Sequence, residues 1–529
     1  MNDMINHFMH PGLQRLSRNT VTSIHPQATL SLPAKAVFRL PEKVLQFGTG
    51  VFIRGLIDYY IDKANNQGIF NGRVVMVKST AAGDIGVFRQ QDCLYTLLMK
   101  SVDEGVETDK KVICAGISRV LDAMQDWQQV LDCAADPGIQ IILSNTTEAG
   151  ITFLEDDRVD AGPPLSFPGK LLAVLIRRFQ ACQGSLEGGF VIVPTELIPD
   201  NGQKLKSIVL QLAKIHHPDE AFMDWLQTAN DFCNSLVDRI VPGKPAAAVQ
   251  ERMEKALGYR DDAMIMSESF GLWAIETHSP QSRNRLSFSQ ADPGIHIVEN
   301  IEKFRELKLR LLNASHNLSC ALGYLAGFDT VKEAMAHPGF DAFMRRLILD
   351  EIASAILSSS ITIADTFNFG TKVLDRYRNP YIGFEWLSIC VQDTSKMKIR
   401  AVPVIRQVHA KTRTVPDGIS LGFAAYIRFM RSEQDKDGTF RGHFKGRDYI
   451  ISDDSAHALH AHWKNASDLS LVQNILADRE LWETDLSTLQ GFAESVTFYL
   501  DNLDRKDVLQ VIKMASAERN LPPPIGVHS

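Results

Sequence analysis

A short apolar strand, a glycine turn and an amphipathic helical pattern follow one another between residues 43 and 68, and this segment most constrains the fold. Residues 44–47 make the strand, and Gly48 and Gly50 follow it directly. Glycines at this point allow the backbone to approach a pyrophosphate group at the helix N-terminus. A second apolar run, residues 74–77, begins about 30 residues after the first, which is the spacing of a βαβ unit. The segment therefore predicts a dinucleotide-binding βαβ unit.

The glycine pattern departs from the GxGxxG fingerprint of dinucleotide-binding proteins. Ile53 stands where the third glycine belongs, and the next glycine is Gly55. A GxG pair after a strand is weak evidence by itself. At the end of the second strand, where an acidic residue would bind the adenosine ribose of NAD, the chain has Lys78, Ser79 and Thr80. These residues leave NAD and NADP both open, and Lys78 could favour the 2′-phosphate of NADP.

Two further apolar runs, residues 139–143 and 190–193, end in polar side chains. The polar residues are Ser144, Asn145 and Thr146 after the first run, and Thr195 and Glu196 after the second. Carboxyl ends of parallel strands form the edge at which open α/β sheets bind ligands. An alternative for the first cluster is a turn in which Thr146 or Thr147 caps a helix ahead of Glu148. The two interpretations are compatible with each other.

A lysine, an asparagine and a histidine lie five and three residues apart in an otherwise apolar run, residues 308–327. At about 100° per residue, an α-helix places Asn313 roughly 140° and His316 roughly 80° around from Lys308, so all three share one broad face. Each could instead be an ordinary semi-buried polar residue that bonds to backbone or reaches water. Together they suit carbonyl reduction, with Lys308 exchanging a proton and the other two donating hydrogen bonds to the oxygen as it gains charge.

Proton exchange by Lys308 at neutral pH requires a lowered pKa. A lysine in water has a pKa near 10.4 and is a poor base at pH 7. Burial and nearby positive charges both lower a lysine pKa. The apolar run, together with Lys303 and Arg310 close in sequence, is expected to supply both effects.

Composition limits the classes of partner. The 529 residues exceed what one compact core usually holds, so two domains are expected. A formal net charge of -7 gives no overall attraction to nucleic acid or anionic membranes, and neither partner is expected. Seven cysteines without a CxxC pair suit a reducing compartment, and a cytoplasmic location is expected. No apolar run reaches the roughly 18 residues of a membrane span.

Four segments are predicted from changes of pattern along the chain. Residues 1–35 form a leader that we expect to be disordered, with an organellar transit peptide as the alternative, and export is not supported. Residues 36–295 form the dinucleotide-binding domain. Residues 296–515 form a mostly helical substrate and catalytic domain, because apolar residues recur at helical spacing from about residue 297. Residues 516–529 form a tail.

Two polar features of the helical half carry weaker expectations. Residues 431–454 are polar and punctuated by glycine, and we expect a surface loop there. His457, His460 and His462 are spaced three and two apart without a neighbouring cysteine, which favours an exposed helix face over a metal site. We expect no metal.

Six segments in order carry a family resemblance. They are QFGTGVFIRG, LSNTTEAGI, PTELIPDNG, NSLVDRIVPG, the triplet of Lys308, Asn313 and His316, and DRYRNPYI. From about residue 41 to about residue 515 the chain resembles the polyol-specific long-chain dehydrogenases, which are also called the mannitol dehydrogenase family. The resemblance implies an α/β protein in which an N-terminal Rossmann-type domain is followed by a mostly α-helical C-terminal domain. It also implies metal-independent hydride transfer with NAD.

The resemblance assigns roles to residues of this chain. By it, Lys308 is the general acid and base, and Asn313 and His316 polarise the substrate carbonyl. The cofactor-binding positions are Gly48, Gly50, Phe52 and Arg54 on the loop, Lys78 at the second strand, and Ser144, Asn145 and Thr146 beside the nicotinamide. The substrate-binding positions are Asp238, Arg376 and Glu196. A buried Asp238 next to Arg239 is also compatible with a structural ion pair.

Differences within the family indicate the substrate. SNTTEAG and PTELI are typical of the branch that reduces keto-hexuronates, and Leu197 stands where mannitol dehydrogenases carry a substrate-contacting asparagine. Gly383 and Phe384 stand where this branch tends to have a basic pair. A guanidinium fork matches a carboxylate, so Arg376 is expected to bind the sugar acid, unless it forms a structural pair with Asp375 or Glu385.

The expected reaction is the reversible NADH-dependent reduction of a keto-hexuronate such as tagaturonate to altronate. Fructuronate reduction and oxidation of mannitol or another polyol at carbon 2 are alternatives within the family. A hexuronate epimerase that retains NAD, and a regulator that binds a dinucleotide without catalysis, are alternatives of other classes. The expected partner is a small-molecule sugar acid, and the oligomeric state stays open.

Overall fold

A computed structural model describes residues 12–81, 83–103, 105–146, 150–160, 162–465 and 468–516. The chain divides into two compact units, Met1–Ser101 with Glu107–Ile301 and Val102–Val106 with Glu302–Ser529. Three predicted features lie wholly or partly outside the described residues: positions 1–11 of the leader, Thr147 and Glu148 of the predicted cap, and positions 517–529 of the tail.

Six parallel strands form the main sheet of the first unit. Across the sheet they lie in the order Ile117–Asp122, Arg73–Lys78, Glu42–Phe47, Ile141–Ser144, Val191–Pro194 and Asp231–Phe232. Numbered along the chain this order is 3-2-1-4-5-6, which is the order of a Rossmann fold. The strand order reverses between Glu42–Phe47 and Ile141–Ser144, and the carboxyl ends at such a point form the usual ligand crevice.

Apolar residues follow one another without a break along these strands because both faces of the sheet are buried. Val44 and Val74 pack in one core cluster, whereas Leu45 and Val75 pack in a second cluster on the opposite face. Side chains alternate between faces along a strand, so a strand covered on both sides needs apolar residues at nearly every position. This is the physical origin of the apolar runs that predicted the strands.

Helices and smaller sheets complete the first unit. The helices are Val51–Ile53, the π-helical turn Arg54–Asp58, Tyr59–Asn66, Gly86–Gln90, Trp127–Ala135, Phe167–Ala181, Asn201–His216, Glu220–Thr228, Ala247–Leu257 and Pro280–Arg285. Short 3₁₀ turns lie at Val21–Ser23, Lys35–Arg39, Leu186–Gly188 and Ser287–Ala291. The remaining strands are Leu30–Ser31, Tyr95–Asp103, Val106–Cys114 and Ile265–Ser267 in one sheet, and Asn234–Asp238, Leu272–Glu276 and Ile295–Val298 in another.

Residues 12–35, which the sequence analysis expects to be disordered, are packed in the structure. Leu16, Val21 and Leu30 are buried in a cluster with residues such as Leu98. The amide of Leu16 also donates to the carbonyl of Arg260 at 2.8 Å. A few well-spaced apolar side chains are enough to hold this otherwise polar segment against a preformed apolar surface, and composition alone does not reveal that.

The second unit is mostly helical. Its helices are Glu302–Leu307, the π-helical turn Lys308–Ala314, Ser315–Leu325, Val331–Ala336, Pro338–Arg346, the π-helical turn Leu347–Ile352, Ala353–Ile356, Ile363–Tyr377, Trp386–Cys390, Asp393–Thr412, Asp417–Phe429, Ala456–Asn465, Asp468–Ala477, Arg479–Trp482, Phe492–Arg505 and Val508–Ser516, with a 3₁₀ turn at Leu486–Thr488. The predicted fold class, a Rossmann-type domain followed by a mostly α-helical domain, is confirmed. In the described part of the chain, no helix has both the length and the apolar character needed to cross a bilayer.

The prediction of a surface loop over residues 431–454 is wrong. This segment contains a three-stranded antiparallel sheet made of Ser432–Gln434, Phe440–Phe444 and Arg447–Ile450. Phe444 and Tyr449 are buried in the core of the second unit, and Tyr449 stacks on Phe429 with 4.4 Å between ring centroids. The polar residues alternate with these anchors, so the average composition of the segment concealed a sheet with one buried face.

A buried carboxyl group lies beneath the glycine turn of the first unit. Gln46 Nε2 donates to Asp58 Oδ2 at 3.1 Å and to the carbonyl of Gly48 at 3.2 Å. Among the described residues, Asp58 Oδ1 and Gln46 Oε1 have no hydrogen-bond partner. Burial raises the pKa of Asp58 from 3.8 to about 7, although the hydrogen bond from Gln46 and the charge of Arg54 oppose the rise.

We expect Asp58→Asn to raise stability at neutral and alkaline pH. Because burial raises the folded-state pKa of Asp58, its stabilising contribution is complete below 3.8 and is lost as the pH rises through about 7. Each pKa unit is worth about 1.4 kcal/mol. The Tm of the variant relative to the wild type should therefore increase between pH 5 and pH 8. Asp156→Asn, at an exposed position of the same unit, is the control. A Tm difference that does not change with pH would contradict the assignment.

Candidate active site

The predicted site residues fall into two groups, one in each unit. The first unit contains the glycine loop and the carboxyl edge of the main sheet. The second unit contains Lys308, Asn313, His316 and Arg376.

Gly48 is required by the fold. Its φ of +134° lies in the region that favours glycine, and an added Cβ would lie 2.8 Å from the carbonyl oxygen of Asn145. The amide of Gly48 donates to the carbonyl of Val77, and the amide of Asn145 donates to the carbonyl of Phe47, both at 3.0 Å. The turn is therefore held between the ends of the neighbouring strands.

Gly50 faces open space. It precedes the helical residues 51–66, and no described atom lies within 4 Å of the position that a Cβ would occupy. The first amide groups of a helix lack intrahelical acceptors and attract anions. The open space at Gly50, next to these amide groups, fits the close approach of a pyrophosphate group.

Arg54 supports the glycine loop from behind. Its buried guanidinium donates to the carbonyl groups of Thr49 at 3.3 Å and Ala263 at 3.0 Å. It also lies over the rings of Phe88 and Tyr95, at 5.0 and 5.2 Å from their centroids. Burial lowers the pKa of Arg54. The guanidinium thus fixes the loop backbone.

Lys78 is held within the protein. Its ammonium group forms an ion pair with Asp122 at 2.9 Å and donates to the carbonyl groups of Ala81 and Gly83. Lys78 lies directly opposite Asp122 in the register of the two neighbouring strands. Its side chain is only 10% exposed. The lysine therefore shapes the turn that follows its strand.

Glu196 connects the ends of two neighbouring strands. Its Oε1 accepts from the amide and the hydroxyl of Thr146 at 2.8 and 2.9 Å, and its Oε2 accepts from Ser144 Oγ at 3.1 Å. Asn145 Nδ2 donates to Thr195 Oγ1 at 3.0 Å, which adds a second link between the same strand ends. Burial raises the pKa of Glu196. The predicted cofactor residues Ser144, Asn145 and Thr146 and the predicted substrate residue Glu196 are thus brought together in one network.

Asp238 and Phe52 occupy partly or fully buried positions of the same unit. Asp238 is buried at the end of its strand, and Phe52 is half-buried against the core cluster. Next to Asp238, the Arg239 guanidinium donates to the carbonyl groups of Glu268 at 2.7 and 2.9 Å and Gly55 at 2.8 Å. Arg239 therefore ties the start of the helix after the glycine loop to a neighbouring strand.

Lys308 and Asn313 lie in a π-helical turn, Lys308–Ala314, and not in the regular α-helix that the sequence predicted. The hydrogen bonds of a π-helix join residues five apart, and such turns are frequent at functional sites. If the turn absorbs one extra residue, the angle from Lys308 to Asn313 falls from about 140° to roughly 40°, and His316 comes to lie about 20° on the other side. The three half-buried side chains then share a narrower sector than predicted.

The two cations expected near Lys308 are neutralised by their own partners. Lys303 pairs with Asp365 at 2.6 Å, and Arg310 pairs with Glu306 at 2.9 Å. Arg310 also donates to the carbonyl groups of two residues in the helix Asp393–Thr412. Each of these two cations therefore has a counter-charge of its own.

Arg376 precedes a tyrosine that contacts the histidine of the triplet. It is buried in the last turn of the helix Ile363–Tyr377, and the next residue, Tyr377, stacks on the His316 ring with 4.2 Å between ring centroids. The neighbouring carboxylate of Asp375 lies 3.7 Å from a guanidinium nitrogen of Arg378. The structure thus brings the predicted carboxylate ligand and the predicted carbonyl ligand to one region of the second unit.

Sequence reasoning missed two residues of these groups, Asp122 beside Lys78 and Tyr377 beside His316. Tyr377 stands inside the DRYRNPYI segment, so its position next to Arg376 was an available signal. Asp122 had no local signal, because its contact with Lys78 comes from strand pairing between distant parts of the chain.

The histidine cluster has ordinary structural partners. His460 Nδ1 lies 2.8 Å from the carbonyl of Ser432, and His462 Nε2 lies 2.9 Å from Asp478 Oδ2. Within the described ranges, no group of three or more histidine, cysteine, aspartate or glutamate side chains is placed to hold a metal ion.

Solved structures support the same architecture. Mannitol 2-dehydrogenase of Pseudomonas fluorescens, in a ternary complex with NAD and D-mannitol, is similar over 95% of this chain and 99% of its own, with a TM-score of 0.65 and 22% sequence identity. A D-sorbitol dehydrogenase in substrate-free form is similar over 94% of this chain and 100% of its own, with a TM-score of 0.73 and 21% identity. At this level of identity, the likeness establishes the fold.

Sequence comparison identifies the family. The family model of the mannitol dehydrogenase Rossmann domain matches residues 42–288, and that of the mannitol dehydrogenase C-terminal domain matches residues 300–504. An altronate oxidoreductase of Halalkalibacterium halodurans is 37% identical over 484 residues, which are 90% of this chain and 93% of that protein. One of Bacillus subtilis is 34% identical over 467 residues, which are 88% and 93%. With both family models matched in order, the chain belongs to the mannitol dehydrogenase family and is an oxidoreductase that acts on CH–OH groups.

Proposed function

We propose that this protein is an NAD-dependent altronate oxidoreductase that reversibly reduces tagaturonate to altronate. The observation that carries the proposal is the combination of Lys308, Asn313 and His316 in one half-buried helical segment of a chain whose relatives are altronate oxidoreductases. An amine, an amide and an imidazole in such a segment suit proton exchange with a reacting oxygen.

The glycine loop supports a dinucleotide cofactor. Gly50 provides the open approach for the pyrophosphate, while Gly48 and Arg54 hold the loop backbone in place. Bound NADH would supply the hydride for the substrate carbonyl carbon. Ser144, Asn145 and Thr146 would lie beside the nicotinamide, and their network with Glu196 and Thr195 would keep that edge of the sheet rigid.

The environment of Lys78 favours NAD over NADP. A lysine that binds a 2′-phosphate must present its charge to the ligand. The Lys78 ammonium is instead paired with Asp122 and bonded to two carbonyl groups of the following turn. Recruiting it for a phosphate would break a buried ion pair, which is costly.

Lys308 would exchange the proton of the substrate hydroxyl. Asn313 and His316 would donate hydrogen bonds to the oxygen as negative charge develops, each stabilising the transition state by on the order of a few kcal/mol. The π-helical turn supports this division of labour, because it brings Lys308 and Asn313 onto one side of the helix.

Arg376 and Asp238 would hold the rest of the sugar acid. A guanidinium group binds a carboxylate through two parallel hydrogen bonds, and a carboxylate accepts hydrogen bonds from hydroxyl groups. Both side chains are buried at the ends of their elements. Glu196 would hold the Ser144 and Thr146 loop through both carboxylate oxygens. It is also the third proposed substrate residue, because a carboxylate oxygen that accepts one hydrogen bond can accept another from a substrate hydroxyl group.

The test of the proposed function is oxidation of NADH by the purified protein, followed by the loss of NADH absorbance. Tagaturonate, fructuronate and fructose are compared, and NADPH is run in parallel. We expect tagaturonate with NADH to be turned over far faster than the other pairs. Faster turnover of fructuronate or fructose would reassign the substrate, and conversion of a hexuronate without stoichiometric release of NAD⁺ would indicate an epimerase.

Lys308→Ala is the matched variant for this assay. Losing the proton-exchanging group should lower kcat by roughly 100-fold or more, the range of general acid–base catalysis. NADH binding, measured by the change in its fluorescence, should be unchanged. If the variant loses NADH binding, or keeps its turnover, the assignment of Lys308 is wrong.

Gly50→Ala should weaken NADH binding without lowering Tm. Its Cβ would enter the space proposed for the pyrophosphate, so we expect Kd for NADH to rise about tenfold or more, equivalent to 1.4 kcal/mol. Gly48→Ala is the comparison variant, and it should lower stability by about 1–3 kcal/mol, because strain at a glycine-only backbone conformation acts with or without cofactor. Equal NADH affinity of Gly50→Ala and wild type would argue against the proposed cofactor position.

Asp122→Asn should improve the use of NADPH. Removing the carboxylate frees the Lys78 charge, and we expect the KM for NADPH to fall about fivefold to tenfold relative to that for NADH. Lys78→Met combined with Asp122→Asn is the control, because it removes the freed charge and should abolish the gain. An unchanged ratio of the two KM values would show that Lys78 lies away from the adenosine ribose.

A further inference from the structure

The junction between the π-helical turn and the following α-helix is served by side-chain hydroxyl groups. Where hydrogen-bond spacing changes from five residues to four, amide donors and carbonyl acceptors no longer match one to one. Ser315 Oγ donates to the carbonyl of Leu311 at 2.6 Å and lies 3.0 Å from that of Leu312. Tyr377 Oη donates to the carbonyl of Leu312 at 2.9 Å. Two hydroxyls from different helices therefore support this junction.

Tyr377 contacts the helical segment of the triplet in two ways. Its hydroxyl lies 2.8 Å from Ser315 Oγ, and its ring stacks on the His316 imidazole with an interplanar angle of 22°. Tyr377 is 4% exposed and belongs to the helix that also carries Arg376. The Tyr377 side chain thus contacts both the backbone at the end of the π-helical turn and the ring of His316.

We propose that Tyr377 is a positioning residue for the reaction. Its hydroxyl group fixes the π-helical turn that carries Lys308 and Asn313, and its ring fixes the ring plane of His316. The inference rests on the proposed function of the triplet. A return of the turn to α-helical spacing would rotate Lys308 by about 100° relative to His316. Misplacement of a reacting group by about 1 Å is enough to cost about 100-fold in rate.

Two variants distinguish the effect of the Tyr377 hydroxyl group from that of its ring. Tyr377→Phe removes the hydroxyl and keeps the ring, and we expect kcat to fall about tenfold with the KM for NADH unchanged. Tyr377→Leu removes both the hydroxyl and the ring, and its kcat should fall about 100-fold. The kcat of Tyr377→Phe should therefore be higher than that of Tyr377→Leu. The pH profile of kcat should also shift in the leucine variant, because the ring no longer covers one face of the His316 imidazole.

Tyr449→Phe is the matched control. Tyr449 is another buried tyrosine of the second unit, whose hydroxyl donates to the carbonyl of Phe429 at 2.9 Å and whose ring is also stacked. It touches none of the triplet residues through a described hydrogen bond or ring contact. If both phenylalanine variants lower Tm but leave kcat unchanged, Tyr377 is only structural and the proposal is overturned.

A second readout does not depend on turnover. Hydrogen–deuterium exchange of amides 308–316 should be faster in Tyr377→Phe than in wild type, and unchanged in Tyr449→Phe. Unaltered exchange in both variants overturns the positioning role, whatever the activity. A third outcome is that the wild-type protein reduces no keto-acid while exchange is still faster in Tyr377→Phe. Tyr377 then holds the turn, and only the proposed function is contradicted.

Discussion

Irregular hydrogen bonding within helices sets the positions of three candidate site residues, Arg54, Lys308 and Asn313. The described residues contain three π-helical turns, Arg54–Asp58, Lys308–Ala314 and Leu347–Ile352. A buried polar side chain accompanies each of them: an aspartate within the first, the hydroxyl of Ser315 after the second, and Glu351 within the third. Glu351 accepts two amide hydrogen bonds at the start of another helix, and burial raises its pKa to about 7. Wider turns give up regular helical bonding, and at the second one the hydroxyl groups of Ser315 and Tyr377 bond carbonyl groups of the turn.

The fold was predictable wherever burial alone determined the residue pattern. Residues 44–47 and 74–77 are apolar because both faces of their sheet are covered, and that pattern predicted their strands correctly. The triplet from Lys308 to His316 was recognisable as a helical set, and the Rossmann and helical halves are confirmed. The π-helical turn was not predictable, because apolar spacing of three and four residues is the same for an α-helix with or without one extra residue.

Contacts between distant parts of the chain account for most of the differences. Lys78 looked like a candidate for a 2′-phosphate until strand register placed Asp122 opposite it. Glu196 was predicted as a substrate ligand, and in the structure its carboxylate also accepts hydrogen bonds from the loop after the neighbouring strand. In both cases the partner lies on another strand, so the sequence around the residue did not reveal it. The roles of the triplet and of Arg376 stay predictions until they are measured.

Residues 12–35 are part of the packed structure of the first unit. Leu16, Val21 and Leu30 cover Leu98 and Ile113, which belong to strands that lie within the stretch matched by the family model. The region of family similarity, which starts at residue 42, is therefore smaller than the region that must be present to keep those strands covered. A protein shortened to that start would expose the apolar side chains of this cluster to water, which favours aggregation.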